Sequence, residues 1–238
     1  MSCNTTDKIV SGGDWNGYDY SYFCPSYCFG EKGKTAGRLD VLNINHLSLA
    51  SKDYLNAIEV SKKYICERGG TAFLNNVYFV DIDITYLDSL ENFKNKRPLR
   101  NIEKCGQTMY FIRFLFKPER NTEYRFGIAM TEKFNIISTA QFPDSSTTPD
   151  FDRIVTPTDA FKTAKKEHHA LVTPLKSIEL TYDEKLDCFI WEIKSEGTFN
   201  DKNKPHEYET GYVLVNASTG KIMENGIRTG RVIVDPAF

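Results

Sequence analysis

The sequence predicts an α+β fold of two similar modules, each a helix packed on an antiparallel sheet. Three observations predict it. Helical spacing of apolar residues gives way to period-two alternation twice, in the same order, once in each half. The halves also match in letters. Ala57-Ile58 with Ser61-Lys62-Lys63 answers Ala160-Phe161 with Ala164-Lys165-Lys166, and Ile82-Asp83-Ile84-Thr85-Tyr86 answers Ile178-Glu179-Leu180-Thr181-Tyr182. Between them, residues 143–157 are rich in Pro, Ser and Thr, a linker by composition. The expected organisation is an arm over 1–46, a first module over 47–142, the linker, and a second module over 158–238.

The arm is polar, glycine-rich and aromatic. Trp15, Tyr18, Tyr20, Tyr22 and Tyr27 stand among Gly12, Gly13, Gly17 and Gly30. From Tyr18 to Tyr22 the rings alternate, a strand signal. Such rings either cover the domain that follows or form a partner-binding surface, since Tyr and Trp are enriched at interface hot spots.

The first module opens with a helix. Leu55, Ile58, Val60, Tyr64 and Ile65 approximate helical spacing, Ser51 or Asp53 supplies a cap, and Gly69-Gly70 ends the run. Three extended runs follow. In Val77–Leu87 the residues Val80, Ile82, Ile84 and Tyr86 alternate with Asp81, Asp83 and Thr85, which places Asp81 and Asp83 on an outer, solvated face. Thr108–Phe116 is nearly all apolar or aromatic, and Tyr124–Ile137 reads as a long strand that bends or breaks near Lys133. In the second module, Asp159–His169 is helical with Pro157 in the first turn. Leu175–Tyr182, Cys188–Ile193 and Tyr208–Val215 are strands. Trp191, between Phe189 and Ile193 on one strand face, is a core residue. The turn Asn216-Ala217-Ser218-Thr219-Gly220 leads into a short strand at Lys221-Ile222-Met223.

The chain has 238 residues, of which 40% are apolar and 26% charged, a globular composition. The net charge of −2 argues against a nucleic-acid partner, which calls for a basic footprint. No apolar run reaches the roughly 18 residues of a membrane span. The six cysteines are too few for a disulfide scaffold. Cys24 and Cys28 are the one close pair, with His46 far downstream, which falls short of a four-ligand zinc site. The pair fits a local disulfide or two buried thiols. The opening Met1-Ser2-Cys3-Asn4-Thr5-Thr6-Asp7 is similar to the junction left when a bacterial lipoprotein precursor is trimmed, which would make Cys3 a lipidation site and lipid anchor. A native cytoplasmic start with an incidental cysteine is the alternative.

Residues 155–225 resemble the PepSY family. The resemblance is carried by Thr158-Asp159-Ala160-Phe161-Lys162-Thr163-Ala164-Lys165-Lys166, by Ile178-Glu179-Leu180-Thr181-Tyr182, by Phe189-Ile190-Trp191-Glu192-Ile193 and by Gly211–Ile222. Its most specific part is the strand ending in an Asp-Ala-x-Thr-Gly-like turn before a Lys. Here Asn216 replaces the usual Asp, and Ser195–Glu207 is a long insertion. The resemblance implies a cystatin-like unit, common in exported bacterial proteins and in propeptides of thermolysin-like peptidases, that acts as inhibitor, chaperone or binding module. It implies no catalytic residues.

Motifs for chemistry are incomplete. His206-Glu207-Tyr208-Glu209-Thr210 begins like a zinc-peptidase motif but has Thr where the second His belongs. Gly30-Glu31-Lys32-Gly33-Lys34-Thr35 is two residues short of a phosphate loop between its glycines. Lys94, Lys96, Arg97, Arg100 and Lys104 read as a solvated loop. The expected function is therefore non-enzymatic, without metal or cofactor. The leading reading is a binding protein of the bacterial cell envelope that binds or inhibits a protein or peptide, a peptidase among the candidates. The alternative is an immunity protein neutralising a cognate toxin in the cytoplasm.

Overall fold

A computed structural model describes residues 10–12, 26–30, 42–43, 53–85, 110–119, 122–197 and 207–231. The chain is α+β and divides into two compact units. One comprises Gly13–Lys117 and Tyr124–Thr147. The other comprises Thr148–Phe238 together with Met1–Gly12 and Pro118–Glu123. Strand β1 (Val10–Gly12) belongs to the latter.

In the first unit, helix α1 (Tyr54–Leu74) precedes strands β4 (Val77–Thr85), β5 (Tyr110–Glu119) and β6 (Thr122–Met130). Strands β2 (Ser26–Gly30) and β3 (Leu42–Asn43) extend the sheet, giving the order β6-β5-β4-β2-β3. β4 runs antiparallel to β2 and β5, while the short β3 lies parallel to β2. The buried helix residues are Ala57, Ser61, Ile65, Gly69 and Phe73, a strict every-fourth-residue stripe. This differs from the expected stripe, and Leu55 is exposed. Small residues define the true face, because they let the helix seat closely while Ile65 and Phe73 fill the core. Phe73 meets Phe116 at 4.6 Å and Phe142 at 5.1 Å between ring centroids. That contact explains why the helix outlasts its expected end. Gly70 leaves helical geometry at φ 81°, yet the chain resumes for another turn and delivers Phe73 to the core. β6 ends at Met130, earlier than expected, and the chain returns to bridge Met130 with Ile136.

In the second unit, α2 (Pro157–Val172) is followed by β7 (Leu175–Asp183), β8 (Cys188–Ser195), β9 (Glu207–Asn216) and β10 (Ile222–Arg231). These form an antiparallel meander, β10-β9-β8-β7. Thr156 caps the helix by accepting a hydrogen bond from the Asp159 amide, and Pro157 occupies the first turn, where no amide donor is needed. Ala160 and Ala164 are fully buried beside a sheet face made of Leu180, Phe189, Trp191, Ile193, Val213 and Val215. Trp191 is fully buried, as expected, and its indole Nε1 donates to the Val155 carbonyl at 3.0 Å. Residues 143–157 are packed as well as polar: Phe151 is buried against Phe189, and the Val155 amide donates to the Ala217 carbonyl.

The turn behaves as its residues dictate. Asn216 Oδ1 accepts from the Ser218 and Thr219 amides at 3.1 and 2.8 Å, and Gly220 takes φ 71°. The strand after it is much longer than expected. Gly226 and Gly230 look like interruptions in sequence. In the sheet, the rings of Tyr212 and Tyr208 occupy the space where their side chains would stand, so the ladder continues.

Candidate functional site

The two sheets each present a polar arrangement on the face turned away from their helix. In the first unit the alternation that sends Ile82 and Ile84 into the helix side sends Asp81 and Asp83 the other way. They do not meet water there. Both are buried, as is Arg113, which corrects the expected solvated face. Arg113 stands directly opposite Asp81 in the β4–β5 register. It donates from Nη1 to Asp81 Oδ1 at 2.6 Å and from Nη2 to Asp83 Oδ2 at 2.5 Å. Its guanidinium also lies 5.0 Å from the Phe111 ring centroid. Burial opposes the Arg113 charge, but Asp83 and Asp81 outweigh it and hold the group above its ordinary range.

Cys28 sits beside this trio, opposite Asp83 in the β2–β4 register. It is a free, buried thiol. Burial and the Asp83 and Asp81 charges push it up, which suppresses the thiolate. Among the described residues the cluster thus offers no accessible nucleophile, and one fixed cation bridges its two carboxylates. Its chemistry is that of a structural clamp. Sequence reasoning missed it, although a signal was present: Arg113 is the lone charge inside the apolar run of β5.

In the second unit the corresponding face carries a chain of contacts that crosses all four strands. Lys194 Nζ lies 3.5 Å from Glu179 Oε2 and 2.8 Å from Glu192 Oε2. Burial works against the lysine charge, and its bond to Glu192 and the Glu179 charge raise it above the usual range. Glu192 is bonded in turn by Arg228. The Arg228 guanidinium lies 4.1 Å from the Tyr212 ring centroid, and Tyr212 donates to Glu224 Oε1 at 2.5 Å. Beneath this chain, Cys188, Ile190 and Leu214 form a small buried cluster with Tyr212 against it.

β10 and β7 are the two edge strands of this sheet, and β10 carries the exposed apolar residues. Among the described strands it pairs with β9 alone, so one row of its backbone groups faces outward. Ile227 is 59% exposed and Met223 39%, two of the five exposed large apolar residues among those described. Glu224 and Arg228 project on the opposite face and are also exposed. A strand with this pattern and one neighbour among the described strands can accept another strand.

Of the residues singled out in the sequence, Cys3, Trp15, Tyr18, Tyr20 and Tyr22 lie outside the described residues, as does Cys24. Tyr27 falls in β2, paired with Ile84. Among the described residues no group of His, Cys, Asp and Glu is placed to hold a metal ion, and no helix is long and apolar enough to cross a membrane. No protein-family model, no curated protein and no solved structure matches this chain.

Proposed function

We propose that this chain is a non-enzymatic binding protein that takes an extended segment of a protein partner onto the outer edge of β10. The observation that carries the reading is the edge itself: ten residues, one described neighbour, and Ile227 and Met223 exposed on it. Strand addition draws affinity from main-chain hydrogen bonds and specificity from alternate side chains. A helix on an antiparallel meander suits this mode, because the helix fixes one face and leaves the edge available. The PepSY-like residues of the second unit support the same reading, with an envelope location, a peptidase among the candidate targets, and a Cys3 lipid anchor. The aromatic arm from Trp15 to Tyr27 is a second candidate surface.

Capture from a lysate of the source organism tests it with three baits: the full chain, Ile227→Pro, and a variant lacking residues 1–46. Proline deletes a donor and bars a strand from the edge. Strand addition requires a partner held by the full chain and lost with Ile227→Pro at unchanged circular dichroism. Retention by Ile227→Pro and loss on truncation would move the interface to the arm.

A further inference from the structure

The side chains of β10 specify what an added strand should look like, given the reading that this edge accepts one. On one face the strand shows Glu224, Gly226 and Arg228 in alternation, opposite Leu214, Tyr212 and Thr210 of β9. Both charges are held in place by Tyr212, which donates to Glu224 and lies under the Arg228 guanidinium. Gly226 leaves the place between them to the Tyr212 ring. An antiparallel newcomer would therefore fit best with a basic residue opposite Glu224, a small one opposite Gly226 and an acidic one opposite Arg228.

β10 read in reverse has that pattern: Arg228, Gly226, Glu224. We propose that the occupant of this edge is a second copy of the chain, with two β10 strands pairing antiparallel about a twofold axis at Gly226. Glu224 then faces the partner's Arg228, and Arg228 faces the partner's Glu224. One interface gains two opposite-charge pairs, as an isologous contact requires. On the other face Ile227 stands opposite the partner's Asn225 and diagonal to the partner's Ile227, so the exposed apolar side chains of both copies meet beside the axis. Slipping the register by two residues puts Glu224 opposite a glycine, Gly226 or Gly230, and both charge pairs are lost. The two four-stranded sheets become one continuous sheet.

Sedimentation velocity on the full chain, from micromolar to near-millimolar concentration, tests this. The wild type should show a reversible monomer–dimer equilibrium. Glu224→Arg alone and Arg228→Glu alone each set like charges opposite one another twice, and should weaken the dimer about tenfold or more. An equimolar mixture of the two variants should dimerise like the wild type. In the mixed pair the introduced arginine faces the introduced glutamate, and native Arg228 faces native Glu224. Mixing cannot repair a misfolded chain, so rescue reports the contact itself. Should Arg228→Glu unfold through its closeness to Glu192, adding Glu192→Gln in the same chain removes that repulsion and the mixture is repeated. A wild type that stays monomeric, or a mixture that stays as dissociated as its components, overturns the proposal. If the wild type is monomeric yet holds a foreign partner that Ile227→Pro loses, the second-copy inference fails and strand addition stands. If Ile227→Pro dimerises as well as the wild type, both fail.

Discussion

Arg113 and Lys194 hold equivalent places in two different sheets. Arg113 faces Asp81, with Asp83 two residues along the same strand; Lys194 faces Ser177, with Glu179 two residues along. Asp83 and Glu179 are also the acidic residues of the matched segments Ile82–Tyr86 and Ile178–Tyr182. The environments have diverged. The first trio is buried, with Arg113 bonded to both carboxylates. In the second the place of Asp81 is taken by Ser177, whose buried hydroxyl has no hydrogen-bond partner among the described residues, and the lysine turns instead to Glu192.

The buried trio should therefore be a strong stability element that responds asymmetrically to mutation. Arg113→Met removes the cation that bridges two buried carboxylates and should cost about 3–5 kcal/mol. Asp81→Asn/Asp83→Asn/Arg113→Met, which removes all three charges together, should recover most of that loss. Chemical denaturation of both variants checks the pair; equal losses would mean that the ions are not coupled.

Trp191 is fully buried and bonded to the Val155 carbonyl. Trp191→Ala should cost about 3–5 kcal/mol, and Trp191→Phe should cost less, keeping most of the packing while losing one hydrogen bond. Thermal melts of the two variants give the order. A Trp191→Ala chain that melts like the wild type would contradict the packing described.

These two sites show what the sequence made legible. Trp191 was readable because alternation with Phe189 and Ile193 fixes a face, and a helix with small residues has to cover one. The Asn216–Gly220 turn was readable because its chemistry is local. Asp81 and Asp83 were misread because an alternating acidic strand looks the same whether it meets water or an arginine, and that arginine lies some 30 residues away. The α1 stripe was misread because Ala57, Ser61 and Gly69 carry little hydrophobic signal, although they are the residues that permit close packing. The length of β10 was hidden by glycines whose places are filled by tyrosines of the neighbouring strand.

Gly211 is a second place where the absence of a side chain is structural. A Cβ there would lie 2.4 Å from the Leu171 carbonyl oxygen and 2.8 Å from its Cα, both backbone atoms that cannot rotate away. Gly211→Ala should push the end of α2 off β9 and cost about 1–3 kcal/mol. Urea denaturation measures it. Gly226→Ala, which meets only the end of the Tyr212 ring, should be milder.

Cys28 and Cys188 are buried thiols, both pushed above their ordinary value, with burial the leading cause and neighbouring aspartates adding to it. Alkylation followed by peptide mapping should label Cys66, which is partly exposed, well before Cys28 and Cys188. The raised values also set a pH dependence. The folded state keeps protons that the unfolded state releases above the ordinary thiol value of 9.0. Stability from this source is complete below that pH and declines as pH rises past it. Cys28→Ala/Cys188→Ala should flatten the decline. An unchanged alkaline slope would assign it to other groups.

The outer edge of β10 is the feature on which both the binding reading and the dimer rest. Residue-resolved amide exchange along Met223–Gly230, measured by NMR on dilute protein, tests it most directly. An open edge requires alternation: amides bonded to β9 exchange slowly, those between them exchange fast, and the fast set slows as concentration rises and a second strand docks. Uniform protection of every amide in the dilute chain would show the edge already covered, and would contradict strand addition at β10.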